Sequence, residues 1–169
     1  MDLAEFIWNS NMIENIDRFD LAGTRHIVEA CDNQNAIEFH RDAVPYIMHH
    51  YAAWKEMERT VPLLTADHIL KIHGILMEGQ LEEHEVGSFR VCRVMVGGHI
   101  PPGPDKVSQL LEKLLEAQED MTPKEWHVEF EKIHPFVDGN GRLGRIIGRW
   151  MGMEDVRFEN RQEYYGWFH

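Results

Sequence analysis

His134-Pro135-Phe136-Val137-Asp138-Gly139-Asn140-Gly141-Arg142-Leu143-Gly144-Arg145 decides the fold of this chain, because it joins two helical patterns through one tight turn. Upstream, Thr122-Pro123-Lys124-Glu125 reads as a capping box with proline at the first helical position. Trp126, Phe130 and Ile133 then follow at helical spacing and run into His134. Pro135 ends that helix, and Phe136 is the residue to plug into the core and fix the loop. Gly139-Asn140-Gly141 can adopt backbone angles closed to bulkier residues. Leu143, Ile146, Ile147 and Trp150 mark the apolar face of the helix that begins there.

Outward from this frame the periodicity stays helical. Val107, Leu110, Leu111, Leu114 and Leu115 form one apolar face after the Pro101-Pro102-Gly103-Pro104 break, with Asp105 as the expected N-cap. Ile69, Ile72, Leu76 and Met77 make a similar stripe after Thr65, and Gly79 is the expected stop. Pro45 separates a helix around 34–43 from another around 45–59. Val91–Ile100 differs: Val91, Arg93, Val94, Met95 and Val96 precede Gly97-Gly98, the pattern of a short hairpin. No repeat, low-complexity tract or linker interrupts the chain. The expectation is a mainly α single domain over 1–169 with one small β element.

Composition narrows the class. The 169 residues suffice for one domain with a proper core, and 43% hydrophobic with 27% charged residues is ordinary for a soluble protein. A formal charge of −12 disfavours nucleic acid and acidic membranes as partners, since both need a cationic surface. Cys31 and Cys92 lie far apart, and two buried free thiols are expected rather than a disulfide. Met1-Asp2-Leu3-Ala4-Glu5 lacks the basic start of a signal peptide, and no stretch approaches the roughly 20 apolar residues of a membrane span. A cytoplasmic protein is the expectation.

The central stretch also carries chemistry. A helix start is electropositive and leaves N–H groups unpaired. Arg142 and Arg145 in that first turn are locally unfavourable unless a polyanion binds, when turn, dipole and guanidinium groups attract the same phosphates. Asp138 suits a divalent cation bridging such phosphates. His134 can take a proton from an attacking hydroxyl. The bland alternative is a glycine-rich interhelical turn beside a solvated arginine face.

With those residues in register, His134–Arg145 resembles the signature of the Fic family, His-Pro-Phe-x-Asp/Glu-Gly-Asn-Gly-Arg-x-x-Arg, without departure. The resemblance implies a Fic-fold helical bundle with a β-hairpin flap, transferring AMP from ATP to a protein hydroxyl of Ser, Thr or Tyr. It makes His134 the general base and Asp138 the Mg²⁺ ligand. Phe136, Gly139, Asn140 and Gly141 belong to the nucleotide site, with Arg142 and Arg145 at the β/γ end of ATP. Leu64-Thr65 through Met77, Gly87-Ser88-Phe89-Arg90 and Pro101-Pro102 are also similar to family elements, so the catalytic core spans about 64–150 with the flap at 89–101. The flap residues Val94, Met95, Val96 and Gly97 are then expected to pair with an extended target segment.

Ser10-Asn11-Met12-Ile13-Glu14-Asn15 is similar to the family's inhibitory pattern, Ser/Thr-x-x-x-Glu-Gly/Asn. This implies an inhibitory helix over about 6–20, with Glu14 meeting Arg145 where the γ-phosphate belongs and Ser10 fixing the helix against the turn. Tyr164-Tyr165 resembles a pair that flanks the nucleotide base in some members; two core aromatics in a terminal helix is the equal alternative. The sequence stops at His169, before the helix that completes the adenine side in longer relatives, and relatives with this arrangement often form homodimers. Glu131-x-x-His134 has di-iron spacing but lacks the second pair such a site needs. His68 and His73 are five apart and share no helical face, and His40, His49 and His50 read as surface or satisfied groups. Removal of AMP, transfer of another phosphate-containing group, and a non-catalytic nucleotide-binding module remain as rivals. The kinase-like relatives alter Gly-Asn-Gly, which is intact here.

Overall fold

The computed structural model describes residues 1–33, 44–59 and 63–168. Their helices are α1 (Leu3–Ile13), α2 (Leu21–Asp32), α3 (Val44–Glu58), α4 (Ala66–Met77), α5 (Pro104–Glu116), α6 (Pro123–Ile133), α7 (Asn140–Trp150) and the short α8 (Arg161–Tyr165). The expected helix over 34–43 and His40 lie outside the described residues; Pro45 sits in the first turn of α3, where its missing N–H costs nothing.

Local chemistry sets the helix ends. Asp2 and Asp20 cap α1 and α2, each accepting a first-turn N–H at 2.8 Å. Thr65 caps α4 through the His68 N–H, and Thr122 with Glu125 completes the expected capping box on α6. One expectation is corrected: α5 is capped by Gly103 with Pro104 at its first position, not by Asp105. Proline's fixed φ starts the helix early and leaves Asp105 in the first turn, where its charge complements the helix dipole.

α7 runs through the middle of the molecule. It packs on α3, α4 and α6, and its Leu143, Ile146 and Ile147 are wholly buried in the same core as Trp126, Phe130, Ile72 and Leu76. Each such side chain contributes about 1.5–3 kcal/mol by leaving water. α1 packs on α2 and α3 and inserts Phe6 and Ile7 into the same core. Its last residue, Ile13, joins Val156 and Tyr164 in a second small cluster under α8.

The hairpin expected over Val91–Ile100 is corrected. Among the described residues no strand forms, and only an isolated antiparallel bridge joins Val96 to His99, through N–H···O contacts of 2.9 and 2.8 Å around Gly97-Gly98. The reason lies in burial: Val91 is 88% and Met95 74% exposed, so the segment has no apolar surface on which to lay a ladder. A lone two-stranded ribbon is marginal without such a surface. The cysteines are free as expected but not buried, Cys31 being half-buried and Cys92 exposed. Among the described residues no helix is long and apolar enough to cross a membrane.

Candidate active site

The loop between α6 and α7 is fastened from inside. His134 ends α6 in the left-handed region, with φ 50° and ψ 64°, while its N–H still donates to the Phe130 carbonyl at 3.0 Å. Phe136 is fully buried and stacks on His73 of α4, ring centres 3.7 Å apart and planes 6° from parallel. The Gly87 N–H donates to Nδ1 of His73 at 3.0 Å, so that ring carries its proton on Nε2 and donates to the Asp138 carbonyl at 3.1 Å. Burial lowers the pKa of His73 to about 4, which keeps this tautomer neutral. Asn140 ties the loop to itself: its Oδ1 accepts the Phe136 N–H at 3.0 Å and its Nδ2 donates to the Phe136 carbonyl at 2.9 Å.

Arg90 braces the same loop from the flap side. Its Nε donates to the His134 carbonyl at 2.7 Å and its Nη2 to those of Pro102 and Ile133 at 2.6 and 3.3 Å. Nη1 reaches the Cys92 carbonyl at 3.0 Å. Its own N–H completes the brace on Pro135 at 3.0 Å. One guanidinium therefore joins the end of α6, the segment after Gly87 and the entry to α5.

Above the loop lies a cavity of about 440 Å³, bounded by His134, Gly141, Glu131, Glu14, Tyr164 and Tyr165, with Val96 and Gly97 on the flap rim. Nδ1 of His134 is buried without a hydrogen bond, and the nearest carboxylate oxygen, Oε2 of Glu131, is 3.8 Å away. Nε2 is thus the nitrogen left to meet a proton from the cavity. Burial lowers the pKa of His134 below the usual 6.5, so at neutral pH the ring is a free base. Glu131 is the opposite case: burial raises its pKa to about 8, and its Oε1 has no partner.

Gly139 takes φ 81° at the start of α7, an angle that L side chains rarely adopt. The first backbone bond of α7 runs from Leu143 to Gly139, so the N–H groups of residues 140–142 have no acceptor within the helix. Asp138 stands beside them with its side chain 67% exposed; Oδ1 accepts the Gly139 N–H at 2.6 Å, and Oδ2 is 3.7 Å from Nη2 of Arg142. Arg142 is buried, donating to Oε1 of Gln80 at 2.7 Å and lying 3.2 Å from the Met77 sulfur. Among the described residues no three His, Cys, Asp or Glu side chains cluster as a metal cage.

Arg145 is 1% exposed and nearly saturated with acceptors. Nε donates to Oγ of Ser10 at 2.9 Å, and Nη2 donates to the Ser10 carbonyl at 3.0 Å and to Oε1 of Glu14 at 2.6 Å. Nη1 donates to the Tyr164 hydroxyl at 3.0 Å. Burial opposes its charge, but Tyr164 and Glu14 outweigh that and drive its pKa up. Glu14 lies so close over Gly141 that a Cβ there would overlap its Oε1; only glycine admits the carboxylate at this point. Asn15 follows with φ 58° and is exposed, so its place in the pattern is explained by ending α1 rather than by contact with Arg145.

The structure therefore brings Ser10, Glu14, Gly141 and Arg145 together, with His134 and Tyr165 on the same cavity. Phe136 and Asn140 serve the loop's interior, and of the expected flap residues Val96 and Gly97 border the cavity, whereas Val94 and Met95 do not line it. Sequence reading missed His73, Arg90, Gln80 and Glu131. The signal for the first was a lone histidine inside an apolar stripe, on the buried face of α4.

A profile of the Fic/DOC family matches residues 63–151. The protein adenylyltransferase Fic of Culex quinquefasciatus is 32% identical over 183 aligned residues, covering 95% of this chain and 35% of that protein. Its counterpart in Drosophila melanogaster is 39% identical over 93 residues, covering 50% of this chain. The chain spans only 19% of that relative. Among solved structures, a Fic-domain signalling protein from Bacteroides thetaiotaomicron superposes with a TM-score of 0.77 at 19% identity, over 96% of this chain and 69% of the other. Fic-1 from C. elegans gives 0.75 at 22% identity, over 96% and 53%. At these identities the structural likeness speaks to the fold.

Proposed function

The chain belongs to the Fic/DOC family, and from that premise we propose that it is a protein adenylyltransferase, moving AMP from ATP to a Ser, Thr or Tyr hydroxyl of a target protein. One observation carries the reading: a neutral His134, the open start of α7 at Gly141 and the Glu14 carboxylate all border a single cavity. A nucleotide laid there has its phosphates on the N–H groups of residues 140–142, beside Arg142 and Arg145. Tyr165, partly exposed at the cavity, is the residue proposed to flank the base, which its position on the lining supports. Flap residues Val94, Met95, Val96 and Gly97 are the proposed rest for the target segment.

The chain's own residues then divide the work. The target hydroxyl oxygen attacks the α-phosphorus as its proton passes to Nε2 of His134. The bond from that phosphorus to the bridging oxygen breaks, and pyrophosphate leaves. General-base action of this kind is typically worth roughly 10²–10⁴-fold. Asp138 would hold Mg²⁺, which needs only one or two carboxylates when phosphate oxygens complete its shell and which would neutralise the polyphosphate. Its exposed carboxylate beside the helix start fits that donor set. Glu14, at 2.6 Å from Nη2 of Arg145, occupies an arginine position that the terminal phosphate needs, so α1 restrains the enzyme it belongs to.

Incubation with Mg·ATP labelled at the α-phosphate tests this. The label appears in protein, rises in Glu14→Gly and vanishes in His134→Asn, a change whose side chain tolerates the left-handed backbone at 134. Absence of protein-bound label in Glu14→Gly, with ATP still bound, would leave a binding module. A second reading, hydrolytic removal of AMP, is favoured by the Glu14 carboxylate itself, which borders the cavity and can hold a water there. Free AMP released from a premodified protein by the wild type, but not by Glu14→Gly, selects it.

A further inference from the structure

Arg145 is gripped from two opposite sides. Ser10 and Glu14, both from the α1 region, take Nε and Nη2, whereas Nη1 donates to a hydroxyl from the far end of the chain, that of Tyr164 on α8. The same hydroxyl is 3.0 Å from Nε2 of His127 on α6. The polarity of this chain follows from donor chemistry alone. A guanidinium has no acceptor, so the Tyr164 oxygen accepts from it, and the hydroxyl proton is free to go to His127. His127 must then present a bare Nε2. Burial, with the Arg145 charge beside it, lowers the pKa of His127 to about 3 and keeps the ring neutral; burial likewise raises that of Tyr164, which keeps its proton.

Tyr164 is also fixed sideways. It is 3% exposed, with Trp167 and Phe168 edge-on to its ring at 5.2 and 5.1 Å. Tyr165, next along α8, is 37% exposed and donates to the Ile13 carbonyl at 2.8 Å. Both tyrosines border the cavity, yet they differ in kind: Tyr164 is a buried strut with its polar end on Arg145, and Tyr165 stands exposed at the mouth.

We propose that Tyr164, backed by His127, is the positioning residue of Arg145, holding the guanidinium beneath Gly141 from the side that α1 does not occupy, and that it does not contact the nucleobase. The proposal rests on the reading that Arg145 receives the terminal phosphates of ATP. With Glu14 withdrawn, the Tyr164 bond persists, so the arginine meets the phosphates already aimed.

The test uses the full chain carrying Glu14→Gly, with binding of AMP and of an ATP analogue bearing an uncleavable α,β-methylene bridge measured by calorimetry. Tyr164→Phe removes one oxygen and keeps the buried ring. It is expected to weaken the analogue about tenfold, as for one hydrogen bond to a charged group, and to leave AMP, which lacks the β- and γ-phosphates, within twofold. Added to Arg145→Ala, Tyr164→Phe has no further effect, because it acts through the arginine. His127→Leu, which keeps Tyr164 but removes the acceptor of its proton, gives a smaller loss with the same selectivity and serves if Tyr164→Phe does not fold. Equal losses for AMP and the analogue, or losses that add to Arg145→Ala, overturn the proposal while leaving the function of Arg145 intact. If Arg145→Ala itself leaves the analogue-to-AMP ratio unchanged, the underlying phosphate reading falls and the positioning role with it.

Discussion

Replacing Glu14 by alanine reads one free energy in two independent ways. Breaking a buried ion pair from one side commonly costs about 3–5 kcal/mol, and an exposed pair under about 1 kcal/mol. This pair lies between: the Arg145 side chain is 2% exposed and that of Glu14 36%. Arg145 keeps the Ser10 hydroxyl, the Ser10 carbonyl and Tyr164 when the carboxylate goes, at 2.9, 3.0 and 3.0 Å. A loss of about 1–2 kcal/mol follows, which for a chain of this size lowers Tm by roughly 2–8 °C. The same interaction is what the terminal phosphates of ATP must displace. Its removal therefore tightens binding by the same free energy, about 5–30-fold. Scanning calorimetry of the unliganded proteins gives the first quantity, and titration with an uncleavable ATP analogue gives the second. A fall in Tm without any gain in affinity refutes the idea that carboxylate and phosphate share one place. No change in either refutes the idea that the contact matters energetically.

Stability is expected to peak near pH 6.5. His50, His73 and His127 are buried with lowered pKa, to about 4 for His73 and about 3 for His127, so below 6.5 the unfolded chain binds protons that the native state refuses and stability falls with falling pH. Glu131 works in the other direction, since the native carboxyl keeps its proton up to about 8 and the unfolded one loses it near 4.5. Below 6.5 the histidines outnumber it. Above 6.5 its slope of up to about 1.4 kcal/mol per pH unit takes over. Thermal melts of Glu131→Gln should lose the alkaline decline and keep the acid one; an unchanged profile refutes the assignment. Arg90→Ala strips donors from the carbonyls of Cys92, Pro102, Ile133 and His134 and should cost about 3–5 kcal/mol by denaturant titration. Arg90→Lys should recover little of it, because an ammonium cannot reproduce the fork; full recovery would show that charge alone suffices.

What the sequence disclosed tracks the range of the forces involved. The capping box at Thr122 and the apolar faces of α5, α6 and α7 depend on neighbours within a turn or two, so spacing reveals them. The pairing of Glu14 with Arg145 spans 131 residues and was accessible only through a resemblance, since no local pattern links a helix end to a distant arginine. Arg90 and His73 went unassigned for a related reason. Their partners are backbone carbonyls and N–H groups, which every residue carries and no side-chain motif encodes. The hairpin failed differently: alternation suits a strand, but whether a ladder forms depends on an apolar surface supplied from elsewhere. Tyr164 and Tyr165 are adjacent in sequence, yet a step of about 100° around a helix sends one into the core and the other to the surface.

α1 contributes Phe6, Ile7 and Ile13 to the interior, each at most 2% exposed, and Glu14 follows immediately as its C-cap. Detaching the helix would uncover these three side chains, so the carboxylate reaches its alternative positions by rotation at residue 14 while the helix stays docked. Rotamer changes of partly exposed side chains take picoseconds to nanoseconds, whereas undocking an element takes microseconds or longer. An anion arriving at Arg145 therefore meets a fast-exchanging competitor, and its hindrance registers in affinity and not as a lag in association.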